Sequence, residues 1–173
     1  MAKRIELRRH TDNDGDVLTD EGRRAALAIG SSLDGGYVLL VATGAQRATP
    51  TLACFASVLR DPIPGGAVVE PGLRSERDDR WRDAYERAGS GRLEDLRSAD
   101  PELVESDSRI LGAGLGRVLE RLDDRETALV VGHSPTNEAA VLGLTGEIVD
   151  PMSKGSGVLL TAEADGFGLE CLD

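Results

Sequence analysis

Short apolar runs, each ending in polar or cationic residues, constrain this chain most. Residues 37–42, Tyr-Val-Leu-Leu-Val-Ala, are apolar throughout, and Ala128 to Gly132 repeat the pattern. Runs of this length without polar alternation suit strands buried on both faces, as in parallel sheets. Residues 4–8 read as another short strand, and Ala67-Val68-Val69 as a fourth. Helical patterns lie between them. Thr19 is a good N-cap, and Asp20 and Glu21 suit a first turn. Ala25, Ala26, Ile29 and Leu33 then recur at helical spacing until Asp34-Gly35-Gly36. A second helix runs to about Leu59 with Leu52, Phe55, Ala56 and Leu59 inward. Pro50 fits only its first turn, so the regular part begins near Thr49. Residues 106–122 and Pro135 to Leu144 give two more helices. Residues 157–162 and 167–172 flank Ala164-Asp165-Gly166 as a hairpin. Strands alternating with helices predict a three-layer α/β/α sandwich, its central sheet mostly parallel with an antiparallel edge strand.

The ends of these runs carry the chemistry. The chain has two histidines, His10 and His133, and each follows an apolar strand. The run at 37–42 leads into Thr43-Gly44-Ala45-Gln46-Arg47. Ligands of open α/β sheets bind outside the carboxyl ends of the strands. Parallel strands would therefore bring His10, His133, Arg9 and Arg47 to one edge. Arginine binds phosphate oxygens bidentately, and histidine serves as a nucleophile, so the set suits a phosphoryl group. Arg8 alternates with Arg9 and should point away, as a structural or solvated residue.

A length of 173 residues with 40% apolar content suits a single domain over 1–173. A charged segment at about 74–108 holds Trp81 and Tyr85 and reads as a mostly helical insertion at the mouth of the site, or equally as a solvated face with Trp81 tacked to the core. The formal charge is −11, which argues against a general nucleic-acid or anionic-membrane binder, since such surfaces are usually basic. A local arginine cluster still accommodates a phosphorylated ligand. Cys54 and Cys171 are expected as buried free thiols. With no disulfide framework, signal-peptide core or membrane-length apolar stretch, a cytoplasmic location is expected. Oligomeric state is not encoded in any visible motif.

The chain resembles the histidine phosphatase superfamily, also called phosphoglycerate-mutase-like. The family hallmark Arg-His-Gly after the first strand is matched by Arg9-His10, with Thr11 in place of glycine. A Leu-Thr-x-x-Gly segment is present as Leu18-Thr19-Asp20-Glu21-Gly22. The segment after the second strand is a degraded match that keeps Arg47, Ala48 and Thr51. The last element is Gly132-His133-Ser134-Pro135. The short length and this final motif look most like the SixA-type branch. The resemblance implies a metal-independent phosphatase without a cofactor, acting on a phosphorylated small molecule or phosphoprotein. His10 would be the nucleophile, and Arg9, Arg47 and a protonated His133 would hold the phosphoryl group.

Many family members carry a glutamate as general acid after the third strand. Here Ser75 occupies that place, so Glu76 is the first candidate, ahead of Glu70. Loss of the acid would fit a phosphohistidine substrate, whose imidazole leaves easily, better than an alkyl phosphate. Thr11 would narrow the pocket or reshape its loop, and its hydroxyl could contact phosphate. A SixA-like protein phosphohistidine phosphatase and a non-catalytic phosphate- or partner-binding protein stand as alternatives. Gly112-Ala113-Gly114-Leu115-Gly116 hints at a dinucleotide loop but follows no strand, so small residues on a packed helix face are expected. His133-Ser134-Pro135 is no hydrolase elbow, because no histidine follows the serine.

Overall fold

A computed structural model describes residues 2–173. The strands are β1 (Lys3–Arg9), β2 (Asn13–Asp14), β3 (Val17–Leu18), β4 (Tyr37–Ala42), β5 (Ala67–Val69), β6 (Thr127–Gly132), β7 (Gly157–Glu163) and β8 (Gly166–Leu172). The helices are α1 (Asp20–Ser32), α2 (Ala48–Val58), α3 (Asp78–Ala88), α4 (Leu93–Ala99), α5 (Pro101–Glu120) and α6 (Thr136–Thr145). A six-stranded sheet has the order β5-β4-β6-β1-β7-β8. Strands β5, β4, β6 and β1 are mutually parallel, and β7 runs against both of its neighbours.

Alternation of side chains across the central strands builds the two covered faces. Ile5, Leu7, Leu39, Val41, Ala128 and Val130 pack under α3 to α6. Leu40, Ala42, Leu129 and Val131 pack against Ala26 of α1 and Leu52 and Phe55 of α2. The expected three-layer sandwich is the observed architecture.

Several boundaries and one exposure differ from expectation. After β1, β2 and β3 pair as a small hairpin, Asn13 with Leu18 and Asp14 with Val17. The helix expected over 106–122 begins at Pro101, whose ring suits a first turn. Asp100 caps it by accepting from the Leu103 N–H at 3.1 Å. Arg8, expected as structural or solvated, is the structural one of the two, since it is buried. It donates through Nε to Glu6 at 2.6 Å and through Nη1 to the Gly155 carbonyl at 2.9 Å. Cys54 is half-buried, but Cys171 is exposed, contrary to expectation, because β8 is the edge strand and most of it lies open.

Gly112 and Gly114 lie on α5, so no dinucleotide loop exists there. Gly112 instead abuts Gly143 of α6. A Cβ on Gly143 would sit 1.6 Å from the Ser108 carbonyl oxygen. Gly143→Ala therefore has to push two backbones apart. It should destabilise the fold by about 3 kcal/mol, lowering Tm by roughly 6–12 °C in a thermal melt.

Candidate active site

The register of the central strands places the two histidines together. Arg9 at the end of β1 pairs with Gly132 at the end of β6. The next residue on each strand is a histidine, and the His10 N–H donates to the Gly132 carbonyl at 3.0 Å. The imidazole centroids lie 5.3 Å apart. Arg47 stands just before α2, beyond the carboxyl end of β4. All four residues line one cavity of about 620 Å³, so the expected convergence occurs.

His10 is buried, and its Nδ1 lies 2.7 Å from the Thr11 carbonyl oxygen. A carbonyl oxygen only accepts, so Nδ1 carries the proton and Nε2 keeps its lone pair. Burial pushes the His10 imidazole down to about 4. The Thr11 carbonyl opposes that fall, while Arg9, Arg47 and Lys154 add to it. His133, whose Nε2 meets the Thr43 hydroxyl at 3.1 Å, is pushed down to about 3 by burial, His10, Arg47, Arg74 and Arg9. Burial, His10 and three guanidinium groups thus oppose the charged form of His133. A dianionic ligand among these cations would favour the imidazolium again.

Both histidines bind fewer protons folded than unfolded, since their folded values lie below the ordinary 6.5. Their contribution to stability is complete above that value. It is lost as pH falls through about 4 and then about 3. Denaturant titrations between pH 7 and 4 should show stability declining, less steeply when inorganic phosphate is present.

Thr11 does not line the cavity, contrary to expectation. Its N–H donates to the Thr51 hydroxyl oxygen at 3.2 Å, and its own hydroxyl lies 3.4 Å from the same atom. Among the described residues only Arg125 is a non-glycine with positive φ, so Thr11 accepts the backbone required of it. The threonine packs sideways against α2 and leaves the cavity open.

Glu76 is exposed and lines an adjoining depression with Pro71, Arg74 and Ser75 rather than the cavity that holds His10. Glu70 turns away to Arg117, with Oε1 and Nη2 2.9 Å apart. Ser75 donates its hydroxyl to buried Asp107 at 2.6 Å, and the Trp81 indole N–H donates to the same carboxylate oxygen at 2.8 Å. Trp81 joins the core while Asp78, Arg82 and Tyr85 face the cavity, so the charged segment supplies one wall. The carboxylates that do line the cavity are Asp16 and Asp78. Arg74 and Lys154 also line it and were not singled out from the sequence. Neither lies in a motif, and only the fold brings them near. Among the described residues no group of three His, Cys, Asp or Glu side chains is placed to hold a metal ion.

Histidines at the tips of two adjacent parallel strands, flanked by the arginines of β1 and the β4–α2 turn, mark the phosphoglycerate-mutase-like, or histidine phosphatase, fold. Solved structures of that class superimpose along almost the whole chain. The phosphoglycerate mutase of Bacillus anthracis str. Sterne gives a TM-score of 0.73 at 18% identity, covering 99% of this chain and 92% of that one. The phosphoserine phosphatase of Entamoeba histolytica, in complex with 3-phosphoglyceric acid, gives 0.71 at 16% identity, covering 99% and 97%. The protein histidine phosphatase SixA complexed with tungstate gives 0.58 at 17% identity, covering 98% and 96%. No protein-family model matches the sequence, and no curated protein sequence matches it.

Proposed function

We propose that the protein is a metal-independent phosphatase that hydrolyses a phosphomonoester through a covalent phosphohistidine on His10. One observation carries this reading. The Thr11 carbonyl holds Nδ1–H of His10, which leaves the Nε2 lone pair free beside a cavity walled by Arg9, Arg47 and His133. Nε2 attacks phosphorus, the N–P bond forms, and the P–O bond to the leaving group breaks. The arginines gain contact as negative charge spreads over the equatorial oxygens. Water then attacks phosphorus and releases a proton to solvent, the N–P bond breaks with its pair returning to Nε2, and hydrogen phosphate departs.

Asp78 and Asp16 line the cavity and Glu76 lies beside it, but none is set as a general acid, so the leaving oxygen takes its proton from solvent. All three carboxylates are exposed to solvent. That exposure, with Ser75 turned to Asp107, favours substrates whose leaving group needs little help. A protein phosphohistidine of the kind SixA is named for is therefore the second reading.

The test is turnover of an aryl phosphate beside an alkyl phosphate, with a chelator present and an alkaline quench that preserves phosphate on histidine. Labelled histidine is expected, with the aryl ester turning over about a hundredfold faster or more, the usual contribution of a missing general acid. Neither turnover nor label would end the esterase reading and move the test to a phosphohistidine protein. Silence there as well would favour a phosphate-binding protein.

A further inference from the structure

Glu138 is a carboxylate in the first turn of α6, 1% exposed, that the chemistry above does not use. Its Oε1 accepts the Ser134 hydroxyl at 2.6 Å and the Met152 N–H at 2.7 Å. The Met152 carbonyl in turn accepts Nη1 of Arg9 at 2.9 Å. A chain of hydrogen bonds thus runs from Glu138 through the Met152 peptide to the guanidinium that lines the cavity. On its other arm the same oxygen fixes Ser134, the residue after His133.

Two buried polar atoms near this chain lack partners, Glu138 Oε2 and Arg9 Nε. Burial pushes the Glu138 carboxyl up, the Ser134 hydroxyl, the Met152 N–H and Arg9 oppose that rise, and its carboxylate form favours the charged form of Arg9. No direct ion pair joins them. A bidentate carboxylate would consume the donors that a phosphoryl group needs. Attraction at a distance, with Met152 fixing the direction, leaves them available. Leaving such buried atoms unpaired is costly, a burden found where an arrangement serves binding.

We propose that Glu138 is a positioning residue that sets Arg9 for the phosphoryl group through the Met152 backbone. The proposal rests on the phosphoryl-binding reading of the cavity. Arg9 is a flexible side chain at a strand end, held by one hydrogen bond to a segment without regular structure. Glu138 anchors that segment, and its charge offsets the repulsion that Arg47 exerts on Arg9.

The experiment is a double-mutant cycle read by calorimetric binding of inorganic phosphate. Glu138→Gln is nearly isosteric and keeps the Oε1 acceptor, but it removes the charge and turns an amide toward Arg9. Phosphate binding by Glu138→Gln should weaken roughly fivefold or more, while Glu138→Gln added to Arg9→Ala should weaken it no further than Arg9→Ala alone. A merely structural role would lower affinity equally in both backgrounds. That result, or unchanged affinity in the single variant, overturns the proposal while leaving the phosphatase reading intact. Wild-type protein that binds no phosphate removes that reading, and this proposal with it.

Discussion

His10→Ala should lose hydrolysis of an aryl phosphate by at least about a thousandfold, the scale seen when a nucleophile is removed. The alkali-stable, acid-labile label on histidine should vanish with it. The size follows from position. His10 is the single imidazole whose Nδ1 is committed to a backbone carbonyl, and His133 meets the Thr43 hydroxyl instead. No other group near the cavity is oriented in that way to take the phosphoryl group. Residual label in the variant would show that His133 accepts phosphate and would reverse the assigned roles. A fold check by circular dichroism separates lost chemistry from lost structure.

Arg47→Ala should lower kcat/KM by about a hundredfold or more, as deletion of a transition-state contact does. Arg47 makes no ion pair among the described residues, so its charge is uncommitted until a ligand arrives. Arg47→Lys should recover part of the loss, since an ammonium keeps the charge but not the planar fork. The pH profile gives an independent check. Arg47 helps hold both imidazoles below their ordinary value. Without it the His10 imidazole protonates more readily, and the acid limb of kcat/KM moves to higher pH. An unmoved limb would place Arg47 too far from the nucleophile to act on it.

The layered fold and the pairing of the histidines were legible because they depend on local patterns. Buried apolar runs mark β4 and β6, and a histidine directly after β1 and β6 needs only parallel pairing to meet its counterpart. The rest of the site depends on contacts between distant segments. Glu138 reads in sequence as an ordinary acidic residue of a helix first turn, and only the fold lays the Met152 peptide against it. Arg74 and Lys154 belong to irregular stretches without a period to reveal their direction. Thr11 shows the converse. Its departure from the family glycine suggested a reshaped pocket, yet the side chain finds room beside Thr51 on α2. The motif marks the position, and the neighbours decide the consequence.

The Asp107 carboxylate ties Ser75 and Trp81 to α5, the longest helix of the molecule. The rim contributed by α3 is thereby bolted to the scaffold instead of being hinged on it. On the phosphatase reading, a phosphorylated ligand would meet a wall anchored by Asp107 to the longest helix.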